Sequence, residues 1–193
     1  MVTLVPRMSE AELTLFASFL RHSDDYLEFG SGGSTCAASR SVRNSVTTVD
    51  SSAHWLRDVE QACAGEDCRV KPVTVHVDIG ATGGWGRPVD ASTQGRWPSY
   101  YETVWERPAS SDADLYLVDG RFGVACFMKT LLNCRADAVL MIHDFASRAQ
   151  YHVIGQVARQ VASAEDFSAF VPVPGQSRGA IHAILAAHRL NPD

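Results

Sequence analysis

Clustered cations and long apolar runs are both missing from this chain. Its 193 residues hold 17 Lys and Arg against 22 Asp and Glu, a net charge of −5, and no Lys/Arg-rich run. Nucleic acid is therefore not an expected partner, because duplex binding rests on clustered cations meeting phosphates. No apolar run approaches the about 20 residues that a membrane-spanning helix needs, so no membrane partner is expected either. The stretch from Met1 to Arg7 lacks the layout of a signal peptide, and a cytoplasmic location is expected. Cysteine is sparse and odd in number, with five scattered residues: Cys36, Cys63, Cys68, Cys126 and Cys134. Cys63 and Cys68 flank an Ala-Gly-Glu-Asp turn, but no second pair stands at zinc-site spacing, so reduced and mostly core thiols are expected. Internal repeats and low-complexity segments are absent as well. What remains, 46% hydrophobic and 20% charged residues, suits a single domain over residues 1–193 with a sizeable core.

The pattern of elements alternates. Residues 8–21 show helical spacing behind Ser9, a cap with acids in the first turn. Strands are expected at 26–29, 46–49, 70–77, 115–118 and 138–142, with helices at 33–42, after Ser51 or Ser52, at 99–105, at 122–133 and at about 148–162. Between Asp78 and Pro98 the chain turns loose, and a loop this long in a compact domain is more often functional than idle. Two final strands are expected at 167–173 and 179–185, joined by Pro174-Gly175. Strands alternating with helices imply a doubly wound α/β sheet, mostly parallel, with right-handed crossovers.

One stretch outweighs the rest: Tyr26-Leu27-Glu28-Phe29-Gly30-Ser31-Gly32-Gly33-Ser34-Thr35, followed about twenty residues on by Asp50 at the end of the next strand. Glycines let the backbone turn tightly and approach a ligand without Cβ interference. An acid at the tip of the second strand can hold both hydroxyls of a ribose. A dinucleotide fingerprint wants a third small residue, and that place holds Thr35. Glu28, two residues before the first glycine, would repel a pyrophosphate but suits a ligand bearing an ammonium and a sulfonium.

This stretch resembles the first motif of the class I S-adenosylmethionine (SAM)-dependent methyltransferases, an acid-x-Gly-x-Gly-x-Gly run in which Gly30, Gly32 and, at the third place, Ser34 stand here. The resemblance extends over residues 8–187 through the order of elements. It implies a seven-stranded sheet of order 3-2-1-4-5-7-6 with the last strand antiparallel, and SAM as cofactor. It further implies that Glu28 meets the amino-acid end of the cofactor, directly or through water. The backbone of Gly30, Ser31 and Gly32 would pass beneath it. Asp50, with Ser51 adjacent, would take the ribose, Asp78 would border the adenine, and Asp119 would lie near the transferring methyl.

Ligands of open α/β sheets bind outside the carboxyl ends of the strands, and acids fall there in succession: Glu28, Asp50, Asp78, Asp119 and then His143-Asp144. The family's nitrogen methyltransferases carry Asp/Asn-Pro-Pro-Tyr/Phe after the fourth strand. Asp119-Gly120-Arg121-Phe122 departs from that pattern, which favours an oxygen of a small molecule or a saccharide as acceptor. Val118-Asp119-Gly120 with Ile142-His143-Asp144-Phe145 resembles, over these short stretches, the glucuronoxylan O-methyltransferase type. Asp119, His143 and Asp144 are the expected catalytic residues, with His143 as general base. Metal-dependent relatives of this class add a ligand where Phe145 stands. A divalent metal is therefore disfavoured, and Asp119 and Asp144 would be its ligands were one present. Arg121, Arg148, Tyr151, Trp85, Trp97, Tyr100 and Tyr101 are candidates for the acceptor pocket. Self-association stays open. Two readings compete with methyl transfer: an NAD-binding oxidoreductase, and a methyltransferase-like protein that binds without catalysis.

Overall fold

The computed structural model describes residues 4–65 and 67–193. Outside them lie the first part of the stretch read above for a leader and one residue of the turn between Cys63 and Cys68. Helix α1 (Glu10–Leu20) starts at a reciprocal cap, in which the Ser9 hydroxyl accepts from Glu12 N–H and the Glu12 carboxylate accepts from Ser9 N–H. Then come β1 (Asp25–Phe29), α2 (Gly33–Ser41), β2 (Ser45–Asp50), α3 (Ala53–Ala62) and β3 (Val73–His76). Ser52, not Ser51, caps α3. The loose segment is held by two short 3-10 turns, Gly84–Gly86 and Ala91–Arg96, and a bridge between Thr82 and Pro88. The short α4 (Ser99–Glu102) precedes β4 (Leu115–Val118), α5 (Gly123–Asn133) and β5 (Val139–Ile142).

All strands but one are parallel, and the sheet order is β3-β2-β1-β4-β5-β7-β6 with β7 (Phe167–Pro172) antiparallel to β5 and to β6 (Ala158–Ala164). This is the expected order and polarity. The central strands are buried on both sides, as parallel strands covered by helices are. Alternate residues feed two layers: Leu27, Phe29, Tyr116, Val118 and Leu140 on one face, and Tyr26, Leu115, Leu117 and Met141 on the other. No helix among the described residues is long and apolar enough to cross a membrane.

The end of the chain departs from the sequence pattern by one element. Residues 149–156 form only 3-10 turns, 158–164 is a strand, and the segment expected as the last strand is helix α6 (Arg178–His188). Two physical causes stand out. A register shift between Gln160 and Ala162 leaves Val161 exposed, which breaks the alternation that marks a strand. In 179–185 the apparent alternation hides a helical face: Ala180, Ile181, Ile184 and Leu185 pack on the core beneath the Ser177 cap. Of the cysteines, Cys36, Cys63 and Cys126 are buried, and the Cys36 and Cys63 sulfurs lie 3.0 Å apart.

Candidate active site

The chain order reverses between β1 and β4, and the crevice of such a sheet opens there. The tips of the two strands meet at two glycines. Gly30 has φ +95°, and a Cβ on it would lie 2.7 Å from Gly120 Cα; a Cβ on Gly120 would lie 2.5 Å from the Tyr100 hydroxyl. Neither position admits a side chain. Gly32 differs: a Cβ there would meet only Trp55, at 3.8 Å.

Glu28 does not reach the crevice. It is fully buried beneath the glycine turn and accepts hydrogen bonds from the Tyr26 hydroxyl (2.8 Å), the Ser34 hydroxyl (2.7 Å) and the Thr35 hydroxyl. Burial pushes its carboxyl up to about 7, against the pull of these donors. Thr35 Oγ1 also accepts from Gly32 N–H at 2.9 Å. The two departures from the glycine motif, Ser34 and Thr35, are thus the residues that satisfy the buried acid and tie it to the turn. Asp50 holds the turn from the other side: one oxygen accepts from Ser31 N–H (3.1 Å) and Ser31 Oγ (2.9 Å), the other from Ser52 N–H (2.9 Å). Asp78 is exposed, and Gly80 N–H followed by Arg96 keeps its carboxyl low.

Above the turn lies a cavity of about 920 Å³, within the range of small-molecule sites. Of the expected site residues, Gly30, Ser31, Gly32, Asp119, His143 and Asp144 line it, whereas Glu28, Asp50, Ser51 and Asp78 do not. Arg121, Arg148 and Trp85 line it too, while Trp97, Tyr100 and Tyr101 pack around Phe122 in the core. Tyr151 is buried behind the wall, where its ring lies 5.4 Å from the Arg148 guanidinium.

Beside the glycine turn, at the ends of β4 and β5, sits a charged cluster. His143 Nδ1 lies 3.3 Å from Asp119 Oδ1 and 3.2 Å from Asp144 Oδ1, and Nε2 lies 3.5 Å from Glu12 Oε2. Burial alone would lower the imidazole. The hydrogen bonds and charges of Asp119 and Asp144 outweigh it and push His143 up to about 11. These carboxylates favour the cationic ring at neutral pH, which argues for an electrostatic role of His143 beside the general-base role expected from the sequence. Asp144 is held low, first by His143 and also by Arg148, whose Nη2 lies 2.5 Å from its Oδ2. The imidazolium occupies the ground between the two carboxylates that a metal would need, and Phe145 packs into the core against Phe170. Among the described residues no group of three or more His, Cys, Asp or Glu is arranged to hold a metal.

Two residues lining the cavity, Trp85 and Asp144, have left-handed φ of 60° and 59°, and so has the buried Phe122 at 58°, the kind of backbone strain that collects at functional sites. Several lining residues carried no signal in the sequence. Leu4 to Arg7 pass over the glycine turn, where a Cβ on Gly33 would lie 2.1 Å from the Val5 carbonyl carbon. Arg7 stacks on Trp85 at 4.5 Å, Trp55 Nε1 donates to Ser31 O at 2.8 Å, and Arg87 and Asp193 pair at 2.5 Å. Arg87 lies in the loose segment, where a basic residue directly after the glycine-rich run Gly83–Gly86 is a usable hint. Leu4 to Arg7 and Asp193 come from the two ends of the chain, far from the glycine motif.

A sheet of this order with a reversed seventh strand, carrying a glycine turn after its first strand, has the class I methyltransferase fold. Over nearly its whole length the chain is similar to a methyltransferase-like protein from Silicibacter pomeroyi: 27% identity, covering 98% of this chain and 99% of that one, with a TM-score of 0.87. At the level of fold it is also similar to a precorrin 8W decarboxylase from Methanobacterium thermoautotrophicum (14% identity, 90% of this chain and 100% of that one, TM-score 0.53). A third solved structure is the methyltransferase MycE of the mycinamycin pathway, solved with Mg, S-adenosylhomocysteine and mycinamycin VI (10% identity, 92% of this chain and 56% of that one, TM-score 0.54). No protein-family model and no curated protein matches the chain.

Proposed function

We propose that the protein is a SAM-dependent methyltransferase acting on an oxygen of a small molecule or a saccharide. One observation carries the reading: the glycine turn and the Asp119–His143–Asp144 cluster line a single cavity. The residues fit the cofactor. The backbone of Gly30, Ser31 and Gly32 forms a floor without side-chain obstruction at Gly32. The Asp50 carboxylate behind Ser31 is placed to exchange its hydroxyl partner for a ribose. Glu28 supports the turn from below rather than touching ligand.

The bound cofactor supplies an electrophilic methyl group. The chain contributes position and a place for the acceptor's proton. With His143 already protonated, the Asp119 carboxylate takes that proton, and the imidazolium holds Asp119 and Asp144 in register. This role for Asp119 stands beside that of the imidazole base expected from the sequence.

Calorimetric titration with SAM, S-adenosylhomocysteine and NAD tests the assignment. Binding of the adenosyl amino acids, with S-adenosylhomocysteine released in the presence of hydroxyl acceptors, supports it. Binding of NAD without SAM replaces it with the oxidoreductase reading. SAM binding with no release across broad acceptor panels makes the protein a non-catalytic binder.

A further inference from the structure

The cavity is richer in cations than methyl transfer requires. In a chain of net charge −5, four guanidinium groups line it: Arg7, Arg87, Arg121 and Arg148. Two of them have partners that explain them. Arg148 is bonded to Asp144, and Arg7 lies against Trp85.

Arg87 and Arg121 are different, because both converge on one carboxylate. Arg87 Nη2 lies 2.5 Å from Asp193 Oδ2, and Arg121 Nη1 lies 3.8 Å from Asp193 Oδ1. The Arg121 side chain is only 15% exposed, and its Nε is buried with no hydrogen-bond partner among the described residues. Burying a guanidinium whose donors are unmet is costly. The fork geometry of Arg matches a carboxylate or a phosphate in a two-point contact. At 3.8 Å, Asp193 is too far from Arg121 for a hydrogen bond. Its side chain therefore marks where an anion belongs without satisfying the site.

We propose that the acceptor carries an anionic group, a carboxylate or a phosphate, held by Arg121 and Arg87 at the position that the Asp193 carboxylate takes in this structure. The term acceptor rests on the methyl-transfer reading above, whereas the anion site does not. Asp193 is then an internal competitor that a substrate displaces.

The test uses the full chain at constant ionic strength. Inorganic phosphate, succinate and the neutral succinamide are titrated, with binding read by calorimetry and by the rise in melting temperature. Saturable binding of phosphate or succinate, and none of succinamide, is expected; whichever anion binds assigns the group. Arg121→Gln should weaken the anion by about tenfold or more, the usual weight of a charge-assisted hydrogen bond. Asp193→Asn should tighten it by a similar factor. If Arg121→Gln does not fold, Arg87→Gln, whose side chain is largely exposed, serves instead. Equal anion binding by wild type and the Arg variants, or binding of succinamide as strong as that of succinate, overturns the proposal. S-adenosylhomocysteine is titrated into the same proteins. Its failure to bind wild type while the anion pattern holds removes the methyl-transfer reading and leaves the anion site standing.

Discussion

Replacing Glu28 by Gln isolates the effect of a buried charge under the glycine turn. The acid ionises near pH 7 in the folded protein, against 4.5 for its ordinary value, and burial is the main cause. Between those values the folded chain holds a proton that the unfolded chain has released, so stability falls as pH rises through this window. The span corresponds to about 3 kcal/mol, lost progressively between pH 4.5 and 7. Glu28 has no exposed surface, so solvent screening does not reduce that figure. Glutamine keeps the shape, and the Tyr26, Ser34 and Thr35 hydroxyls can each turn to accept or donate. Urea unfolding followed by circular dichroism at pH 5, 6, 7 and 8 is the assay. The stability of Glu28→Gln relative to wild type should rise across the series and level off above pH 7. Titration of His143 occurs in both proteins and cancels in the difference. Parallel pH profiles for the two proteins would refute the claim that this carboxyl is buried and shifted.

Gly30→Ala should lower stability by several kcal/mol, since it combines a left-handed φ with a contact of 2.7 Å to Gly120 Cα, whereas Gly32→Ala should fold normally, and thermal melts of the pair compare them. Asp50→Ala removes the charge-assisted bonds that link β2 to Ser31 and should weaken SAM binding by about 1.5–3 kcal/mol, read by calorimetry; unchanged affinity would remove Asp50 from the cofactor site. His143 is raised to about 11 from an ordinary 6.5, so its contribution to stability is complete below pH 6.5 and lost as pH climbs through 11. The melting-temperature advantage of wild type over His143→Gln should follow that course. Methyl transfer by wild type should show no rise near pH 6.5, and a rise there that vanishes in His143→Gln would restore the imidazole as base.

The five parallel strands and the location of the crevice were legible in the sequence, while the strand order came with the family resemblance. The strands and the crevice follow from short-range pattern: buried parallel strands read as apolar runs, and Gly30 marks a turn that only glycine can make. The acids after successive strands also named Asp119, His143 and Asp144 as neighbours, because strand ends that are adjacent in the sheet must bring their following residues together. Local pattern failed where a bulge at Val161 scrambled alternation and where a helical face in 179–185 imitated it. The surroundings of each site residue come from tertiary structure alone. Whether Glu28 meets ligand or lies buried depends on how closely α2 packs over β1, which brings Ser34 and Thr35 onto the acid. Whether His143 is a base or a fixed cation depends on Asp119 and Asp144 both lying within reach of one nitrogen, with Glu12 of α1 behind the ring. The convergence of Arg87, Arg121 and Asp193 joins residues that are far apart along the chain. Burial and charge pairing are properties of the packed chain, and no spacing in the sequence encodes them.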